Sequence, residues 1–156
     1  MTQQLYCAVL TGDLIKSRQS DTAAVEKTFD ILRNAAQQFG SAWNIDVRFT
    51  RSRGDGWQIV LTQPGLLLDA ALYVVAQLKA GQTKIDTRIS IGVGPIDTLG
   101  RNDLSDATGP AFFVSGDHLD NMGRNRMMAI AGASIANEQV AIIDLAEWIA
   151  KSWTAT

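Results

Sequence analysis

"RFTRSRGDGWQIVLT", residues 48–62, places two extended runs on either side of one tight turn. Phe49 and Thr50 lead in, and Trp57, Ile59 and Val60 lead out; aromatic and β-branched side chains of this kind suit a pleated, half-buried surface. At the tip stands Gly54-Asp55-Gly56. Asp-Gly between such runs is a strong hairpin signal, because Gly tolerates the positive φ that the turn demands. Strands over residues 45–53 and 57–62 follow from it. Asp55 is then either a turn former, favoured for local reasons, or a carboxylate held out for chemistry. A second acidic residue delivered to the same place decides between the two.

Upstream, Leu5-Tyr6-Cys7-Ala8-Val9-Leu10 is apolar on both faces and reads as a central strand that breaks at Thr11-Gly12-Asp13. A polar loop follows through Lys16-Ser17-Arg18. Asp21 suits the cap of a helix with apolar positions Val25, Phe29, Leu32, Ala36 and Phe39, and Gly40 suits its stop. Downstream of the hairpin, Pro64 opens a second helix that runs to Lys79 and stops at Gly81. Residues 85–93 form a fourth strand, with Ile89, Ile91 and Val93 on one face and Arg88, Ser90 and Gly92 on the other. A turn-rich stretch over 94–109 precedes a short helix from Pro110, a short edge strand over 127–131 and a last helix over 138–153.

That order is β-α-β-β-α-β followed by α-β-α. It predicts an α+β fold: a ferredoxin-like βαββαβ core, an antiparallel sheet with helices on one face, and a C-terminal α-β-α extension. With no linker or internal repeat, residues 1–156 read as one domain. In this topology the first strand is central and lies beside the hairpin. Asp13, ending the first strand, and Asp55, at the hairpin tip, meet at one edge of the sheet.

Composition narrows the partners. The net charge of −2 argues against non-specific nucleic-acid binding over the whole surface, which needs a basic footprint. The single cysteine, Cys7, excludes an intramolecular disulfide and a Cys-rich zinc site. The first residues show no secretory pattern, and the apolar runs are too short or interrupted to span a bilayer. The expectation is a cytoplasmic protein without membrane contact.

Two carboxylates at a strand end suit Mg²⁺ or Mn²⁺, since Mg²⁺ commonly takes one or two protein carboxylates and leaves the rest to water and phosphate. Beside Asp13, the segment Leu14-Ile15-Lys16-Ser17-Arg18 offers backbone N–H groups, two cations and a hydroxyl, as a triphosphate requires. Arg51 and Arg53 share one side of their strand and are candidates for phosphate contact, or are simply a solvated strand end; Arg48 points the other way. If Asp13 and Asp55 face each other across an empty metal site, they repel, and Asp55→Asn stabilises the metal-free protein.

Other signals carry less. Ile15-Lys16-Ser17 lacks the glycines of a P-loop, and Gly92-Val93-Gly94 lacks the third glycine of a dinucleotide fingerprint. His118 has no Cys or His partner nearby, Ser17 and Ser115 have no visible triad, and the Met122, Met127 and Met128 group reads as filler.

Four motifs occur in order: "TGDLIKSR" (11–18), "RSRGDGWQIV" (51–60), "RISIGVG" (88–94) and "TGPAF" (108–112). Together they resemble the class III nucleotidyl cyclase domain and its palm-fold relatives, and more closely the bacterial SatD-like family. The resemblance covers residues 5–132 or so. It implies that Asp13 and Asp55 are the two metal-binding aspartates of a domain that binds nucleoside triphosphate, with a homodimer left open as a partner. The chain departs from cyclases at three places. Arg51 stands where a base-reading Lys is usual, and Phe113 and Asp117 stand where an Asn and an Arg stabilise the transition state. An acidic side chain cannot neutralise charge building on phosphate, so slow or no cyclisation is expected.

Three functions therefore compete. One is a metal-dependent nucleotide-binding domain, either a weak enzyme or a sensor. Another is a non-catalytic module that uses the sheet face of Arg88, Ser90 and Gly92 for dimer or partner contacts. The third is a single-stranded nucleic-acid binder using the arginines and Trp57.

Overall fold

The computed structural model describes residues 3–52, 54–101 and 103–154. Its elements run β1 (Leu5–Ile15), α1 (Thr22–Trp43), β2 (Val47–Arg51), β3 (Gly56–Leu61), α2 (Leu67–Ala80), β4 (Asp86–Ile96), α3 (Pro110–Asn121), β5 (Met128–Ala131) and α4 (Asn137–Lys151). The strands lie in the order β2-β3-β1-β4-β5. Neighbours within the βαββαβ core are antiparallel throughout. β5 joins β4 in parallel, so the whole sheet is mixed. This is the α+β architecture predicted, with its C-terminal α-β-α extension.

Strand alternation divides the side chains into two layers. On one face Ala8, Leu10, Trp57, Ile59, Ile89 and Ile91 pack with Phe29 and Leu32 of α1 and with Ala71 and Val75 of α2. Ile143 and Ala150 of α4 join the same cluster. The opposite face carries Cys7, Val9, Val60 and Ile96 against Ala111 of α3. β1 is apolar on both sides because both sides are covered. Burial, with the charge of Asp46 behind it, pushes the Cys7 thiol up to about 11, which leaves it an inert filler.

The position of α3 corrects one expectation. Ser90 is fully buried, and a Cβ on Gly92 would lie 2.4 Å from the Ala111 carbonyl oxygen. At Ser90 and Gly92 the polar face of β4 is thus the seat of α3 and is not open to a dimer or partner, while its Arg88 end stays partly exposed. Element boundaries also move. β1 does not break at Thr11 but continues to Ile15, because β3 and β4 flank it, with Asp13 opposite Gly56 and Ile15 opposite Asp86. α1 passes Gly40 and ends at Asn44, whose φ of 52° supplies the left-handed cap. Asp21 caps its start as expected, accepting from the Ala24 amide at 2.7 Å.

The extension is fastened by one buried acid. Glu147 of α4 accepts from the Met127 amide, from the Met128 amide at 3.3 Å and from Arg126 Nε at 2.8 Å. Burial alone would raise this carboxyl. The two amides and the charges of Arg126 and Lys151 outweigh burial and hold it below its ordinary value of 4.5. A carboxylate depressed in the folded state stabilises above its unfolded value and loses that contribution as pH falls through the folded one. Glu147→Gln should therefore cost about 1–3 kcal/mol at neutral pH. In urea unfolding, the gap to wild type should close as the medium is acidified through the carboxylate range. A gap that stays constant with pH would show that the charge is not what holds α4.

Candidate functional site

β1 and β3 bring the two aspartates together. Asp13 lies opposite Gly56 in the ladder, so Asp55 is the next residue along the chain at that edge. The Leu14 amide donates to the Asp55 carbonyl at 3.1 Å. Gly54 is the left-handed residue of the turn, with φ of 70°, while Gly56 already belongs to β3. Asp55 is not among the positive-φ residues, and its carboxylate accepts from Ser17 Oγ at 2.7 Å. It ties the hairpin tip to the segment that leaves β1, which a turn former need not do.

Asp13 has a partner that its motif does not suggest. Arg88 lies opposite it in the β1–β4 ladder. Arg88 Nε donates to Oδ1 at 3.0 Å and Nη2 to Oδ2 at 2.6 Å, a two-pronged charge-assisted pair. Strand pairing and alternation put Arg88 there, since antiparallel neighbours of the same parity share a face. The signal was present in "RISIGVG" but needed the register to be read.

A buried chain supports the strand beneath this pair. Trp57 Nε1 donates to Thr87 Oγ1 at 3.0 Å, and Thr87 Oγ1 donates to the Asp13 carbonyl at 2.8 Å. Trp57 is fully buried. It cannot stack on a nucleic-acid base, which removes the aromatic platform from the single-strand-binding alternative.

The remaining candidates divide. Lys16 and Arg18 are exposed, and Lys16 takes a left-handed φ of 68° where β1 gives way to the short 3-10 turn Ser17–Gln19. Leu14 is a core side chain whose amide is already engaged, and Ile15 lies in the ladder opposite Asp86. Neither belongs to an open phosphate loop, because β1 is longer than its sequence suggested. Arg51 is also displaced from its predicted role. It lies on the helix-bearing face, 3.8 Å over the Phe29 ring, and bonds both Glu26 oxygens at 2.9 and 3.0 Å. Asp13 points to the other face. Arg53 lies outside the described residues. Arg48 holds the 94–109 segment through the Leu99 and Gly100 carbonyls at 3.3 and 2.9 Å. Phe113 and Asp117 are both exposed on α3.

The electrostatics centre on Arg88. Its bonds to Asp13 raise it above its ordinary value against the opposing effect of burial, and the charges of Asp13, Asp120 and Asp55 add to this. The two aspartates therefore do not face each other uncompensated, and the repulsion expected from the sequence is met by an internal cation. The donor chemistry of Asp13 and Asp55 fits a hard divalent cation completed by water and phosphate. Among the described residues, no group of three or more His, Cys, Asp or Glu side chains is arranged to hold a metal. Both Asp13 oxygens are bonded to Arg88, so the fit depends on that guanidinium.

No family model and no curated protein matches the chain. Solved structures do. The chain resembles the dimeric guanylyl cyclase domain of the RhoGC fusion protein from the aquatic fungus Blastocladiella emersonii, with a TM-score of 0.57 and 18% identity over 76% of this chain and 74% of that one. It resembles the guanylate cyclase domain of RhGC from Catenaria anguillulae in complex with GTP, with a TM-score of 0.55 and 17% identity over 74% and 72%. The catalytic core of a rhodopsin-guanylyl cyclase with converted specificity, in complex with ATPαS, gives a TM-score of 0.55 and 20% identity over 77% and 76%. The fold is that of the nucleotidyl cyclase catalytic domain. Identities this low carry the fold and nothing finer.

Asp13→Asn should lower stability in chelator by about 1–3 kcal/mol, because it leaves a half-buried guanidinium without its counter-charge. Asp55→Asn should stay within about 1 kcal/mol of wild type, since Asn still accepts from Ser17 and suits the turn. Chemical denaturation of both variants checks the pair. An Asp55→Asn protein clearly more stable than wild type would restore the repulsion picture.

Proposed function

We propose that this chain is a divalent-metal-dependent domain that binds nucleoside triphosphate, with Asp13 and Asp55 as the ligands of Mg²⁺ or Mn²⁺. The observation that carries this reading is the β1–β3 register, which sets Asp13 opposite Gly56 and so beside Asp55 at one sheet edge. Lys16, Ser17 and Arg18 leave β1 at that same edge. Their cations and hydroxyl are the groups to meet a triphosphate there. The cyclase-type fold and the order of the four motifs, including their likeness to the SatD-like family, support the same assignment.

A bound cation would screen the phosphate charge and polarise its oxygens. The chain's own residues fix the position: Thr87 anchors the Asp13 backbone, Ser17 orients Asp55, and the two carboxylates present oxygens. α3 supplies no obvious help for a transition state, since Phe113 and Asp117 bring no cation. Slow or absent cyclisation by a monomer follows, and a cation donated across a homodimer is the arrangement that would restore it. Sensing of nucleotide suits these residues as well as turnover does. Among the described residues, no helix is long and apolar enough to cross a membrane.

Calorimetry with ATP and GTP, each with and without Mg²⁺ or Mn²⁺, tests the assignment. Heat is expected only when metal and nucleotide are both present. Asp13→Ala should abolish it, and an Asp13→Ala protein that binds Mn²⁺-ATP or Mn²⁺-GTP as well as wild type would remove Asp13 from the site.

A further inference from the structure

Arg88 occupies an unusual position for a candidate metal site. Its side chain is 21% exposed and that of Asp13 29%, so the pair is sheltered and not a mobile surface contact. The two residues are direct partners in the β1–β4 ladder, which places the guanidinium over the carboxylate. Both Asp13 oxygens are engaged, at 3.0 and 2.6 Å. Each oxygen keeps a second lone pair, so a hard cation reaches Asp13 either beside that fixed positive charge or by displacing it. The charges of Asp55 from the hairpin and Asp120 from α3 also favour the charged form of Arg88.

We infer that Arg88 is a built-in competitor for the cation: its fork holds Asp13 in the metal-free chain, and a divalent ion is admitted only against that charge or as the fork opens. This rests on the reading of Asp13 and Asp55 as metal ligands, and it adds a residue that sets when the site is available. The physical reason is exclusion by charge as well as by contact. A fixed positive group beside the carboxylates repels an incoming cation, and an ion that displaces it must also replace two charge-assisted hydrogen bonds. Such a device keeps affinity for free metal low. It favours entry of metal together with triphosphate, whose negative charge gives the displaced guanidinium something to bind.

A purely structural role makes the opposite claim. An arginine that merely orients Asp13 improves it as a ligand, so its removal weakens metal binding. The sign of the effect separates the two. Mn²⁺ binding to the whole chain can be followed by loss of the free-ion electron paramagnetic resonance signal, with wild type, Arg88→Met, Arg88→Lys, Asp13→Asn and the double variant Arg88→Met/Asp13→Asn. Arg88→Met should bind Mn²⁺ about 10- to 100-fold more tightly than wild type, the gain expected when two charge-assisted bonds no longer have to be broken. Arg88→Lys should fall between, because an ammonium lacks the planar fork. Asp13→Asn on top of Arg88→Met should abolish the gain.

Loss of Arg88 leaves carboxylates uncompensated, so circular dichroism in chelator accompanies each titration. If Arg88→Met does not fold, Arg88→Lys decides: tighter binding than wild type supports the gate, and equal or weaker binding overturns it. Equal or weaker binding by a folded Arg88→Met overturns the gate too. If in that case Asp13→Asn still abolishes wild-type binding, the metal-site assignment stands alone. No Mn²⁺ bound by any folded variant overturns the gate, and calorimetry with metal and nucleotide together then decides the metal-site assignment by itself.

Discussion

Gly12 has no side chain, and the Trp57 indole fills the space that one would take. A Cβ on Gly12 would lie 2.4 Å from two atoms of that ring and 2.6 Å from the Arg88 carbonyl oxygen. No larger residue fits without moving the indole or a strand. The contact draws β1, β3 and β4 together at the one level where Gly56, Asp13 and Arg88 stand side by side across three strands. Everything at the candidate site depends on that alignment. Because side chains alternate, a slip of one residue in either ladder would send Asp13 into the helix-bearing core or carry Arg88 away from it. The hydrogen bonds from Trp57 to Thr87 and from Thr87 to Asp13 lock the same level from beneath.

Charge is used differently on the two faces of the sheet. Arg51 bonds Glu26 with side chains 36% and 55% exposed, where solvent screens the attraction and the ion pair adds little. Its position over Phe29 matters more, since it covers the end of the core. Arg88 and Asp13 make the same chemical pair in a sheltered setting, where breaking it from one side costs far more than forming it gains. Two arginines of similar appearance in the sequence thus have unrelated tasks. Glu147 follows the sheltered pattern at the β5 edge, where it accepts from the Met127 and Met128 amides while it neutralises Arg126.

Local signals explain which parts of this were legible. The hairpin at Gly54-Asp55-Gly56, the cap at Asp21 and the order of strands and helices are written in adjacent residues, and topology alone then joins Asp13 to Asp55. The differences share another origin. β1 looked short because Thr11-Gly12-Asp13 breaks an apolar run, yet a strand flanked on both sides keeps polar residues in its ladder. Gly12 marks the Trp57 packing and not a turn. The sequence leaves Arg51 open between phosphate contact and a solvated strand end, because its partner, Glu26, lies on a helix far back in the chain. The small and polar face of β4 suggested an open surface, but Gly92 and Ser90 are small to let α3 approach. Each of these turns on contacts between distant segments, which propensity and periodicity do not encode.

The four tryptophans sit in very different surroundings. Trp57 is fully buried, Trp43 and Trp148 are 50% and 74% exposed, and Trp153 is partly so. Fluorescence from this chain is therefore separable. Iodide reaches the exposed indoles and spares Trp57, whose emission is that of a rigid ring with its N–H bonded to a hydroxyl. That hydroxyl is one bond from the Asp13 backbone, so the spared fraction reports on the geometry of the strand beneath the carboxylates. The residue that sets the register is also an intrinsic optical probe of the site, and no label has to be introduced there.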